Sequence, residues 1–224
     1  RHAMKTKSLL NLSAAVAFCL GVSVSQAQIT NGLVLHMTFD GKNVSGNYTN
    51  TVAHGIEGVP IGTPTSGPGK LGNCVALTVD GPNAINNYVT LGYPTELQFG
   101  AVSDSSATDF SIAFWCNYTN QTSDPVFIGS QNWNSSQNMG WDIYMQSGGN
   151  FGVVTKDDSG DNSHRQQIAP GNPGALLRDG TWHHVVVTWG RQSTVTIYKD
   201  GALLATSPLS QCTGLIDTLG VGQS

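Results

Sequence analysis

The sequence predicts an all-β domain built as two antiparallel sheets stacked in a sandwich. Three observations carry that expectation. Helical periodicity is absent, short runs rich in β-branched and aromatic residues recur, and the gaps between them are clusters of Gly, Asn, Pro, Asp and Ser, with 27 glycines in 224 residues. The strongest stretch is DGTWHHVVVTWGRQSTVTIYKDGALLATS, residues 179–207. Its first run sets Trp182, His184, Val186 and Thr188 on one side and His183, Val185, Val187 and Trp189 on the other. Neither side is clearly polar, which places the strand inside a layered structure.

Taken in order, the chain first shows Arg1, His2 and Ala3 ahead of Met4, a plausible initiator. Lys5 and Lys7 then precede an apolar stretch at about 12–24 and a small-residue site at Ser25-Gln26-Ala27. This is the pattern of a secretory signal peptide over residues 1–27, too short for a membrane span and without a basic stop-transfer flank. Phe18 ahead of Cys19 is too bulky for lipoprotein processing, so Cys19 reads as part of the discarded segment. The mature chain, 28–224, is long enough for one domain with a full core.

Strands are expected at 34–39, 74–79, 88–91, 110–118, 126–129, 141–145, 151–155, 182–189, 194–199, 202–206 and 218–221. The segment 57–72, EGVPIGTPTSGPGKLG, reads as loop. Asp200-Gly201 between the last two strands of the central stretch is the dipeptide of a two-residue hairpin turn with positive φ at both central positions. No internal repeat or linker divides the chain.

The central hairpin also resembles a family. DGTWHHVVVTW followed by a β-branched strand and YKDG is similar to the core of laminin-G-like domains, which are concanavalin A-like lectin-glucanase jelly rolls related to pentraxins. Supporting matches lie upstream in LVLHMTFDG at 33–41, GKLGNCVALTVDG at 69–81, YVTLG at 88–92, DFSIAFWCNYT at 109–119 and IGSQNWNSSQNMGW at 128–141. The resemblance implies a jelly-roll sandwich and, among functions, a binding module often attached to a larger protein. It further implies a final strand carrying an Asp-Asp-x-Arg pattern, which is not found by Ser224. The expectation is therefore a domain lacking its final strand, part of a longer polypeptide, whose first strand has one open edge.

Composition narrows the partners. Without the signal segment, seven basic residues face fourteen acidic ones, a net charge of about −7. With no basic cluster, nucleic acid is excluded as a partner. Cys74, Cys116 and Cys212 remain in an exported chain, an odd number that leaves at least one thiol free. Cys74 and Cys116 share alternation positions with Ala76 and Phe114 and are expected to face the core, with a single disulfide the alternative.

The chemistry-bearing residues point to binding. Glu57 and Glu96 are the only glutamates and lie far apart in sequence, whereas glycoside cleavage ordinarily uses a pair of carboxylates flanking the bond. The Glu-x-Asp-x-x-Glu strand of the laminarinase-like enzymes on this fold is absent. His183 and His184, adjacent on a strand, face opposite ways and cannot share a metal; they read as core histidines bonded to backbone carbonyls. Trp115, Trp182 and Trp189 read as core. A saccharide platform is expected from Trp133 with Asn132 and Asn134 in SQNWNSSQN, joined by Trp141 and Tyr144, because sugar C–H faces stack on flat rings while amides meet the hydroxyls.

The resemblance adds calcium. In many laminin-G-like domains an acidic residue at the end of the first strand helps hold the ion, which here implies Asp40, with Asn43 and Asn47 as further oxygen donors. KDDSGDN at 156–162 has alternating oxygens at Asp157, Ser159 and Asp161 but reads as a solvated hairpin tip. The expected protein is a secreted or cell-surface, non-catalytic module that binds a glycan or an extracellular protein. A structural or adhesive spacer is the second reading, and a polysaccharide hydrolase or lyase the third.

Overall fold

A computed structural model describes residues 31–52, 55–77, 87–119, 126–131, 139–146, 148–160, 162–171 and 174–217. The segment read as a signal peptide, the loop at 132–134 expected to form the saccharide platform, Asp161 and the strand expected at 218–221 lie outside these residues. The fold is an all-β jelly-roll sandwich.

Its centre is two four-stranded antiparallel sheets. One runs in the order β14 (Ala202–Pro208), β13 (Thr194–Lys199), β12 (Trp182–Trp189), β7 (Phe110–Asn117). The other runs β11 (Arg165–Ile168), β10 (Phe151–Lys156), β9 (Gly140–Met145), β8 (Val126–Gly129). Inward residues of both form one core: Val185, Val187 and Trp189 of β12, Val195 and Ile197 of β13, Ile143 and Met145 of β9, and Phe151 and Val153 of β10. Alternation puts them there, since β12 is buried at every second residue. Phe110 stacks on Trp189 with ring centroids 4.4 Å apart, Trp141 meets Trp189 edge-on at 5.6 Å, and the buried Trp189 indole N–H donates to Thr155 Oγ1 at 2.9 Å. An indole this deep needs that acceptor.

The central hairpin forms as expected, β12 and β13 matching their predicted bounds. Asp200 and Gly201 have φ of 51° and 81°, the left-handed values the turn requires. His183 differs from expectation. Its two ring nitrogens meet carboxylates, not backbone carbonyls: Nδ1 lies 2.8 Å from Asp200 Oδ2 and Nε2 lies 3.0 Å from Asp179 Oδ1. Asp200 also accepts the His184 backbone N–H at 2.9 Å, so its carboxylate ties the turn to the start of β12.

The second sheet departs from expectation at its edge and at its turn. β11, RQQI, has no apolar alternation, and its pairing with β10 from Val153 opposite Ile168 to Lys156 opposite Arg165 supplies the strand. Asp157 at the adjoining turn is fully buried, not solvated. It accepts the Gly214 N–H at 2.8 Å and contacts His164 Nδ1 at 2.9 Å, while Asp158 accepts the Leu215 N–H. Burial alone would raise the Asp157 pKa, but these donors outweigh it and hold the carboxylate below its usual range. The turn is an anchor for the segment that follows Cys212. Asp217 then accepts the N–H groups of Phe99 and Gly100, whose carbonyls take the buried Arg191 guanidinium at 2.7 and 3.1 Å.

The N-terminal strands form separate, smaller sheets: β1 (Met37–Lys42), β2 (Tyr48–Asn50), β3 (Glu57–Ile61) and β6 (Tyr88–Thr90) in that order, and β4 (Thr65–Pro68) with β5 (Asn73–Ala76). Three expectations change here. The segment 57–72 is not all loop, for it contains β3 and β4. The first strand does not stop at Asp40-Gly41 but runs through them, its register shifting around Phe39, which has φ 58°. Its ring meets Tyr48 edge-on at 5.1 Å. Cys74 is only partly buried, whereas Cys116 and Cys212 are buried; all three are free thiols. β1 has one neighbour, β2, among the described strands.

Candidate functional site

The residues expected to carry function are scattered by the fold. Trp141 and Tyr144 lie three apart on β9, so alternation sends them to opposite faces. Trp141 enters the core with Phe99, Phe110 and Trp189. Tyr144 points away from the core cluster, and its hydroxyl accepts the side-chain amide of Gln167. Asp142 shares the Tyr144 face, and by alternation Gly140, Val154, Lys156 and Gln167 lie there too. Asp142 is fully buried, and among the described residues neither carboxylate oxygen has a partner in good hydrogen-bond geometry, the Val154 backbone N–H being its nearest favourable contact. Burial pushes its pKa up to about 7, against the pull of Arg165. Asp142 is the one carboxylate on this face among the described strand residues.

Asp40 and Asn43 engage different partners. The Asp40 carboxylate accepts the Asn73 N–H at 2.8 Å, and that bond holds its pKa below the usual range. Asn43 Oδ1 accepts the N–H groups of Ser45 and Asn47, and its amide donates to Glu57 at 2.7 Å. Asn47 donates to the other Glu57 oxygen at 2.8 Å. Among the described residues no group of three or more His, Cys, Asp or Glu side chains is placed to hold a metal ion.

The structure assembles a different aromatic cluster, on the outer face of the β14-β13-β12-β7 sheet. Trp115 is not a core residue. On β7, Ile112, Phe114 and Cys116 turn inward, leaving Ser111, Ala113, Trp115 and Asn117 outside, with Trp115 40% exposed. His184, directly opposite on β12, is half-buried and also outside the core, its ring 4.9 Å from the Trp115 indole at 37°. Trp182, half-buried, lies on the same outer face opposite Asn117. From the turn between β4 and β5, Lys70 brings its Nζ to 5.3 Å from the Trp115 ring centroid. Farther along the face, Tyr198 pairs with Val186 on one side and with Leu203, 60% exposed, on the other. The phase of β7 held a signal for this cluster: Ser111, Ala113 and Asn117, small or polar, share their side with Trp115.

Chemically, the cluster offers a flat indole partly open to solvent, an imidazole beside it and an ammonium over it. These are groups that stack on apolar C–H surface and donate to oxygen.

A laminin-G-type family model, described as the concanavalin A-like lectin/glucanases superfamily, matches residues 83–219. Comparison with curated protein sequences finds no match. Among solved structures, the chain is similar to the binding domain of botulinum neurotoxin DC in complex with rat synaptotagmin II, at a TM-score of 0.59 and 20% identity, covering 84% of this chain and 42% of that one. It is similar to a structure of botulinum neurotoxin type C, a toxin whose cell entry is described as dependent upon interaction with two ganglioside molecules, at 0.56 and 19%, covering 85% and 44%. It is also similar to the binding domain of Paraclostridial mosquitocidal protein 1, at 0.55 and 16%, covering 76% and 39%. The chain thus spans less than half the length of these structures, and the likeness is one of fold.

Proposed function

The chain belongs to the concanavalin A-like lectin/glucanases superfamily, and from that premise we propose that it is a non-catalytic binding module acting outside the cell, which holds a saccharide on the outer face of the β14-β13-β12-β7 sheet. The observation that carries this reading is Trp115, a large aromatic ring left 40% exposed on a strand whose inward positions are apolar. A pyranose ring stacking there gains the contact that sugar C–H faces make with an indole, and His184 beside it supplies a ring nitrogen to the sugar oxygens. Similar structures named as binding domains support a recognition role.

Cleavage fits the geometry less well than binding. Glycoside hydrolysis ordinarily needs two carboxylates about 5–10 Å apart. The face carrying Asp142 offers one such group among the described strand residues, and the Trp115 face offers an imidazole and an ammonium. No helix of the described residues is long and apolar enough to cross a membrane.

The test is a panel of plant, bacterial and animal polysaccharides screened by affinity electrophoresis and calorimetry against the wild-type protein and Trp115→Ala. Retarded migration on at least one polysaccharide, abolished in the variant while its thermal unfolding is unchanged, is the expected result. Binding that survives Trp115→Ala moves the site elsewhere. Absence of glycan binding, with capture of an unglycosylated extracellular protein instead, gives the protein-contact spacer. Reproducible product release makes the protein an enzyme.

A further inference from the structure

Resting on the glycan reading of this same face, we infer that the Trp115 site selects anionic saccharides over neutral ones, and that Lys70 is the residue that selects. Lys70 belongs to neither strand of the platform. It reaches the indole from the turn between β4 and β5, and its ammonium has no carboxylate partner among the described residues, so its attraction to the Trp115 π face is what holds it. An unpaired cation of this kind distinguishes between ligands. A neutral sugar that stacks on Trp115 must push the ammonium aside and forfeits the cation–π attraction. A sugar bearing a carboxylate or sulfate also takes the ring, but it meets the displaced ammonium as a counter-ion.

The long lysine stem makes the exchange easy, because the head group swings on rotatable bonds while the Cα stays in its turn. His184 adds a ring nitrogen on the β12 side of the indole. Asp200, which lies close enough to accept the His184 backbone N–H, has its other oxygen on His183, so both of its oxygens are already engaged. The chain as a whole is acidic and the Asp40 carboxylate sits against the same β4–β5 turn, held by the Asn73 N–H, but charges beyond about 8 Å are screened at physiological ionic strength and the ammonium over the ring is the charge that a ligand on Trp115 meets first. Both ligands displace the cation–π contact, so it cancels between them; the ion pair that only the anionic ligand forms is worth about two- to fivefold, and that is the expected preference.

The experiment uses matched pairs that share a backbone and differ in charge: oligogalacturonate with its methyl ester, and heparin fragments with their desulfated forms. Each is titrated calorimetrically into the wild-type protein, Lys70→Met, Lys70→Arg and Trp115→Ala, at low and high salt. The wild type should favour the charged member of a pair by about two- to fivefold, with the preference shrinking in salt. Lys70→Met should erase the preference through weaker anionic binding, and Lys70→Arg should restore it. The carboxylate and sulfate arms distinguish which anion is recognised. Equal binding of both members, abolished in Trp115→Ala, overturns the selectivity and leaves the glycan reading standing, as does a preference that Lys70→Met leaves intact. If no member of the panel binds, or none depends on Trp115, the glycan reading itself fails and the selectivity with it.

Discussion

The central sandwich and the N-terminal sheets are both antiparallel β structure, yet they are held together by different forces. In the centre, β9 and β10 are buried along their whole length and β12 at every second residue, so the sheets are glued by apolar surface and interlocked rings. In the N-terminal region the strands are three to six residues long. Val44, Val59, Leu71, Leu77 and Tyr88 are exposed there, and among its described residues only Tyr48, Ile56 and Asn87 have buried side chains. Beyond their backbone ladders, these strands are linked by side-chain bonds: Asp40 to Asn73, Glu57 to Asn43 and Asn47, and Asn87 to the Thr63 N–H. The difference teaches that the centre specifies itself by pattern, whereas the N-terminal sheets depend on individual polar contacts. The family match, beginning at residue 83, covers the first region and omits most of the second.

The largest expected effect tests the centre. Trp189→Ala removes the ring that joins Phe110 and Trp141 and leaves Thr155 without its indole donor. A loss of about 3–5 kcal/mol is expected in urea unfolding, enough to bring a domain of this kind near its stability limit. A loss below about 1 kcal/mol would mean that the core is not where the stability lies.

Next comes a cost that the centre carries. Asp142 has a folded-state pKa of about 7, above the usual carboxylate value, so its neutral form is the one the fold favours. Below about pH 4 the residue is neutral whether folded or not; as pH rises from there through 7 the unfolded chain ionises first and stability falls. Asp142→Asn should therefore stabilise the protein by about 2 kcal/mol at pH 8, half of what the shift alone implies once local relaxation is allowed, and change it little at pH 4. Thermal unfolding across that pH range decides; an equal effect at both ends would show that Asp142 does not titrate in this window.

A smaller effect belongs to the central turn. Gly201 has φ 81° and open space around its missing side chain, so Gly201→Val is opposed by backbone conformation alone. About 1–2 kcal/mol should be lost, with saccharide binding unchanged. Full tolerance of valine would mean that the turn adapts and that the β12–β13 register is not set by it.

The same contrast governs what could be read from the sequence. β12 and β13 were legible to the residue because strict alternation and Asp200-Gly201 fix them together. β3 and β4 were not, since EGVPI and TSGP carry Gly, Pro and polar residues where alternation would be read, and pairing with β2, β6 and β5 makes them strands. β11 was hidden for the same reason. Of the residues expected to form the sugar platform, Trp141 and Tyr144 are both buried, on opposite faces of β9 and away from the Trp115 sheet, because a short aromatic run reveals neither its phase nor what covers it. Trp115 could have been placed by the phase of β7. Lys70 could not, because its approach to the indole comes from a turn about 45 positions upstream in the sequence.

The smallest expected effect sharpens the comparison most. Glu57 accepts Asn43 Nδ2 at 2.7 Å and Asn47 Nδ2 at 2.8 Å, one on each carboxylate oxygen, and so closes the turn whose backbone bonds run from Asn43 N–H to the Asn47 carbonyl and from Gly46 N–H to the Asn43 carbonyl. All three side chains face solvent or its border, so water replaces what Glu57→Ala removes, and the net loss should be about 1 kcal/mol or less. Because none of the described residues of this turn belongs to the buried apolar cluster of the central core, the loss should stay local. Amide exchange at Asn43 and Gly46 should quicken severalfold, while amides of β12 and the urea midpoint stay unchanged. If the midpoint instead falls with the turn, the N-terminal sheets unfold together with the sandwich, and the polar contacts at their edges are part of one cooperative unit.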